Sequence, residues 1–159
     1  MQINGEWLLF DDGMLRPVIR GEILASNGAW QPAEFLVDTG ADRTVFSAPA
    51  LSKLGLRSSI PQARLGGPGG LANSVVVATQ VRLTRETASV VVFRGLFAAV
   101  TAVEALDVSV LGRDITGLFA VVVDQPGNVV CLLGHWQSLH PSRESLPRSG
   151  PMELGWGYE

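Results

Sequence analysis

Short apolar blocks, most of them rich in β-branched or aromatic residues, are divided by clusters of Gly, Pro, Asn and Asp. That punctuation predicts strands and tight turns. Trp7-Leu8-Leu9-Phe10, ended by Asp11-Asp12-Gly13, predicts a short strand and a turn. Arg16 to Leu24, the turn Ser26-Asn27-Gly28 and the return Trp30 to Val37 predict a hairpin whose second strand runs straight into Asp38. Thr44-Val45-Phe46 is extended, and Ser47 caps a short helix from Ala48 to Leu54 that Gly55 stops. The run Leu65-Gly66-Gly67-Pro68-Gly69-Gly70-Leu71 lies between two strand-like segments and predicts the tip of a long hairpin.

Three β-branched and apolar segments follow, Val75 to Leu83, Ala88 to Phe93 and Leu96 to Val103, separated by polar turns. Val108-Ser109-Val110-Leu111 then runs into Gly112-Arg113-Asp114-Ile115, with a short helix predicted from Ile115 to Leu118. Phe119 to Asp124 and Asn128 to Leu133 form a last hairpin around Gln125-Pro126-Gly127. From His135 the periodicity is lost and Pro, Ser, Gly and Arg dominate, which reads as a tail over 135–159. The expected class is all-β with one or two short helices.

Composition narrows this picture. A chain of 159 residues with 47% apolar and 17% charged residues is one turn-rich globular domain rather than a disordered segment. Net charge is −3 and the basic residues are scattered, so neither a nucleic-acid face nor a polybasic membrane patch is expected. The longest apolar run, Leu96 to Val103, is far short of a membrane span, and Met1 to Asp12 lack a basic start and a small-residue cleavage site. A cytoplasmic protein is expected, and the single Cys131, unable to form an intrachain disulfide, is compatible with that.

Chemistry concentrates at Phe35-Leu36-Val37-Asp38-Thr39-Gly40-Ala41-Asp42, where a buried strand delivers a carboxylate to the mouth of a core on a tight turn. Other candidates carry less. A phosphate-cradling loop at Gly67-Pro68-Gly69 fails because Ala72 holds the last position of the G-x-G-x-x-G spacing and no helix follows. His135 and His140 have no acidic or Cys ligands at metal spacing, so no metal and no cofactor is expected. Cys131 sits in a strand run as a core residue, and Trp7, Trp30, Trp136 and Trp156 read as packing groups.

Three segments stand in fixed order: the Asp38 loop, the glycine-rich hairpin, and Val110-Leu111-Gly112-Arg113-Asp114. With Arg16-Pro17 upstream, this order resembles the retropepsin-like branch of the aspartic proteases over roughly Arg16 to Leu133. The division expected is an N-terminal strand or arm over 1–15, a retropepsin-like domain over 16–134, and the tail. The resemblance implies a closed barrel or sandwich lobe with a flap hairpin, and an endopeptidase assembled from two chains. Asp38 resembles the catalytic aspartate, Thr39 the residue that locks against its counterpart in the second subunit, and Gly40 the substrate-contacting glycine, with Ala41 completing the loop. Gly66, Gly67, Pro68, Gly69 and Gly70 resemble the flap over a peptide or protein substrate. Asp42 and Arg113 resemble an ion pair bracing the loop against the helix, joined by Arg16 of the partner subunit.

The sequence departs from that pattern in two places. Pro68 at the flap tip has no N–H to donate through a water to substrate carbonyls. The chain also continues past the helix with a hairpin and a tail, which implies a dimer interface of its own kind. A retropepsin-fold dimer that binds peptide with little or no turnover, or that serves only a structural role, is the alternative.

Overall fold

The computed structural model describes residues 1–57, 64–67 and 70–134, the stretches 64–67 and 70–72 as backbone only. Pro68 and Gly69 of the expected flap tip, and the expected tail with His135, His140, Trp136 and Trp156, lie outside the described residues.

Eleven strands, two short α-helices and one 3-10 turn (Val103–Ala105) follow one another in these segments. The larger sheet holds eight strands: β2 (Glu6–Leu9), β3 (Leu15–Leu24), β4 (Trp30–Val37), β5 (Val45–Phe46), β6 (Arg64–Gly67), β7 (Gly70–Thr84), β8 (Val90–Val100) and β9 (Ser109–Leu111). Their spatial order is β2-β3-β4-β9-β5-β8-β7-β6, and a further pairing of β3 with β7 turns the sheet back on itself, so six of its strands form a closed ring. Closure removes edges that would otherwise offer unpaired backbone. It depends on Gly21, because a Cβ there would stand 2.8 Å from the Arg82 carbonyl oxygen and 2.6 Å from the Leu83 side chain.

The smaller sheet has the order β1-β11-β10, from β1 (Gln2–Asn4), β10 (Phe119–Asp124) and β11 (Val129–Gly134). Through it the first residues join the core, since Ile3 and Leu132, paired across β1 and β11, are both fully buried.

Phe35, Phe46, Ile19, Ile23, Leu83, Leu111 and Ile115 fill the barrel, each no more than 2% exposed. Phe46 sits between two rings, 6.4 Å from Phe35 and 5.3 Å from Phe97. At about 1.5–3 kcal/mol for each fully buried large side chain, this cluster fixes which faces of β4, β5 and β9 point inward.

Two expectations shift. The runs ending at Phe93 and beginning at Leu96 form a single strand, β8, because Gly95 lies opposite Thr79 in an unbroken ladder from Ser74↔Val100 to Thr84↔Val90. A glycine still offers its N–H and C=O, and here a side chain at Gly95 would meet nothing within 4 Å. The helix expected at Ile115 to Leu118 starts earlier, as α2 (Arg113–Thr116), because the Asp114 carboxylate accepts the Ile115 N–H in its first turn. Helix α1 (Ala48–Leu54) has the expected limits: Ser47 Oγ accepts from the Ala50 N–H, and Gly55 closes the helix at φ 58°. No helix among the described residues is long and apolar enough to cross a membrane.

Candidate active site

Strand β4 lies between β3, antiparallel to it, and β9, parallel to it, so Val37 delivers Asp38 from the middle of the sheet rather than from an edge. The Asp38 N–H donates to the Leu111 carbonyl at 3.2 Å, carrying the β4–β9 ladder to the first residue of the loop. There the chain turns on the Asp38 side chain: Oδ1 accepts from the Gly40 N–H at 2.8 Å and from the Ala41 N–H at 3.3 Å. An Asp that organises its own following turn is common in loops. Here it also holds the carboxylate at the end of β4, half-buried, with Thr39 and Gly40 exposed beside it.

The rest of the loop is clamped to the start of α2. Arg113 N–H donates to the Ala41 carbonyl at 2.8 Å and Asp114 N–H to the Asp42 carbonyl at 3.2 Å. Below them Thr44, wholly buried, joins three segments. Its Oγ1 donates to Asp114 Oδ1 at 2.7 Å and accepts from the Gly112 N–H at 3.2 Å, while its own N–H donates to both Asp114 oxygens at 2.9 Å. The two strands approach so closely that a Cβ on Gly112 would stand 2.2 Å from the Arg43 carbonyl carbon, which no flexible side chain relieves. One turn further on, the Ser109 hydroxyl accepts from the Ser47 N–H at 3.0 Å, tying β9 to the cap of α1.

The expected site residues are thus brought together in part. Asp38, Thr39, Gly40 and Ala41 share one turn, and Arg113 forms an ion pair with Asp42 across the clamp. The pair is exposed, so its direct contribution is small, on the order of 1 kcal/mol or less. Arg16 does not reach Asp42 or Arg113 of its own chain. It pairs with Asp12 and lies 4.6 Å over the Phe10 ring. The Met14 N–H, and then Arg16, hold the Asp12 carboxyl below its usual pKa. Strands β6 and β7 pair antiparallel from Arg64↔Asn73 to Gly67↔Gly70, so backbone of a glycine-rich hairpin is present up to the two undescribed residues at its tip.

Asp114, Thr44, Gly112 and Ser109 are the residues that sequence reasoning left without a role. The only available signal was position: Asp114 follows Arg113 directly and Thr44 follows Asp42-Arg43, but neither carries a spacing that names a partner some 70 residues away. Among the described residues no three His, Cys, Asp or Glu side chains are grouped so as to hold a metal ion.

Solved structures superpose on this chain. A retropepsin-like aspartic protease from Rickettsia conorii superposes with a TM-score of 0.51 and 18% identity, covering 83% of this chain and 88% of that one. EIAV protease complexed with the inhibitor HBY-793 gives a TM-score of 0.47 and 23% identity, covering 69% of this chain and 92% of that one. No curated protein matches the sequence. A family model described as aspartyl protease matches residues 19–118, a span that holds the Asp38 turn, the glycine-rich hairpin and the Gly112 to Asp114 clamp, and the chain belongs to that family.

Proposed function

We propose that the chain is an aspartic endopeptidase that works as a two-fold homodimer, hydrolysing a peptide bond with a water held between two copies of Asp38. The observation that carries this reading is one half-buried carboxylate on a hydrogen-bonded turn, with its near neighbours already engaged. Asp42 is paired with Arg113, and Asp114 receives Thr44 and Ile115, so neither is placed to serve as a second acid.

Amide hydrolysis needs a base that takes a proton from water and an acid that gives one to the leaving nitrogen. Two carboxylates about 3 Å apart do both, because they cannot both ionise and therefore share one proton. One chain supplies one of them, so the second must come from a second copy. The unprotonated carboxylate draws a proton from the water as its oxygen attacks the carbonyl carbon. The protonated carboxyl gives its proton to the carbonyl oxygen, and collapse of the tetrahedral adduct passes a proton to nitrogen and frees acid and amine products. The glycine-rich hairpin would cover an extended substrate by backbone pairing. In the assembled pair Thr39 would lock against its counterpart and Arg16 would join Asp42 and Arg113 of the other subunit.

Pro68 favours a second reading, a dimer that grips peptide with little turnover, since a tip without an N–H cannot hold a bridging water in the usual way. Incubation of the wild-type protein with a diverse peptide library across pH, beside Asp38→Asn, separates the two. Cleavage by wild type and none by the folded Asp38→Asn protein is expected. Peptide retention without cleavage by either protein selects the binding reading, and equal cleavage by both would falsify the role given to Asp38.

A further inference from the structure

We propose that the hairpin tip joining β2 and β3, carrying Leu9, Met14 and Leu15, is a docking arm for a second copy of this chain. The inference rests on the two-chain reading of the site and adds the surface that holds the two chains together.

Three large apolar side chains stand in solvent on this one tip: Leu9 is 70% exposed, Met14 60% and Leu15 44%. Leu9 and Leu15 are cross-strand partners, and the Phe10 N–H donates to the Met14 carbonyl at 3.0 Å, so the apolar groups stand on one ordered turn. Its shape is set internally: Asp12 accepts the Met14 N–H at 3.0 Å, and Arg16, paired with Asp12, covers the Phe10 ring. An isolated leucine in water requires no explanation, but a built protrusion ending in three large apolar groups marks an interaction surface.

Register says where the arm points. Strands β3 and β4 pair antiparallel with Val18 opposite Leu36, and carrying that register on brings Arg16 level with Asp38. Met14 and Asp12 are two and four residues further along, so at about 3.3 Å per residue the tip overhangs the level of Asp38 by roughly 7–13 Å. A second Asp38 must stand about 3 Å from the first for one proton to be shared. Any copy placed there meets the overhang. Charge fits the same occupant, because the arm carries exposed Asp12 paired with half-buried Arg16 while the loop and α2 present the exposed pair Asp42 and Arg113. Two-fold symmetry sets arm against loop twice, so that each cation meets an anion of the other copy as well as its own.

The test is the full-length double variant Leu9→Asp with Met14→Asp, followed by sedimentation velocity over a concentration series and by thermal unfolding. Both side chains are exposed, so the single chain should keep its circular dichroism. Each substitution acts twice in a symmetric pair, and the dimer dissociation constant should rise by at least about a hundredfold. An unchanged constant would overturn the proposal, and so would a lowered unfolding temperature with an unchanged constant, which would mean that the tip packs on its own chain. A wild-type protein that stays monomeric at every concentration overturns both this and the two-chain site. A dimer that the double variant splits, in a protein that cleaves no peptide, supports the arm and refutes the peptidase reading alone.

Discussion

Thr44→Val tests the clamp under the Asp38 loop more sharply than a change at the loop itself, because valine keeps the shape and removes only the hydroxyl. Two hydrogen bonds disappear: Oγ1 to Asp114 Oδ1 at 2.7 Å, and the Gly112 N–H to Oγ1 at 3.2 Å. The first is a bond to a carboxylate, contributing about 1.5–3 kcal/mol, and losing the second strands a buried N–H at a cost of about 1–3 kcal/mol. Valine's added methyl offsets about 0.8 kcal/mol at this wholly buried position. The net loss should be about 2–5 kcal/mol, a large share of the roughly 5–15 kcal/mol that holds a domain of this size folded.

Urea unfolding followed by circular dichroism measures this, with mutant and wild type at one protein concentration because association with a second chain would add to apparent stability. The midpoint should fall with an unchanged slope, and the thermal midpoint should fall by about 2–4 °C for each kcal/mol lost. Thr44→Ser is the control, since it keeps the hydroxyl and should lose only about 1 kcal/mol for one methyl group. If Thr44→Val falls within about 1 kcal/mol of Thr44→Ser, the hydroxyl does not hold β9, α2 and the loop together, and this account of how Asp38 is positioned fails.

Gly112→Ala puts a Cβ 2.2 Å from backbone of Arg43, so it should destabilise by about 3 kcal/mol or more and reduce peptidase activity at temperatures where the variant is still folded. An alanine variant with wild-type stability would show that the two segments do not touch. Arg82, by hydrogen bond and then by charge, holds the Glu22 carboxyl below its usual pKa, and Arg82 also lies 4.3 Å over the Trp30 ring. A carboxyl lowered in the folded state stabilises above its unfolded pKa of about 4.3 and loses that contribution as pH falls through the lower folded value. Wild type should therefore lose more stability than Glu22→Gln between about pH 5 and 3, and parallel acid limbs would remove the pair from the account.

The strands were legible because each sits between turn residues that state their own geometry. Gly55 at φ 58° and Gly28 at φ 82° are left-handed positions where the sequence offers the residue without a Cβ. Asp38 was legible for a related reason, since an apolar strand running into Asp-Thr-Gly is a local signal. What could not be read is what the fold joins across distance. The hydrogen bonds of Thr44 to Asp114 and to Gly112 span about 70 residues, and nothing local tells a threonine in an extended stretch from one that solvent would accept. The same limit governs Gly95, whose residue type suggests a break where the long partner strand β7 enforces a continuous ladder. At Arg16 sequence pattern and single-chain geometry part company: the pattern points to a second subunit, while within the chain Asp12 and Phe10 are the partners in reach.

Amides of its own loop hold Asp38 at the end of β4. Arg113 is taken by Asp42, while the buried polar ties of Thr44 end on Asp114. The charges that brace the loop are kept separate from the charge that would do chemistry. The loop can therefore be rigid within one chain while its carboxylate stays free to respond to a second one. That division explains why the bracing residues lie on β9 and α2, inside the barrel's own closure, whereas the apolar arm at Leu9 and Met14 projects beyond it. Folding fixes the position of the acid, and in the proposed pair association would supply its partner.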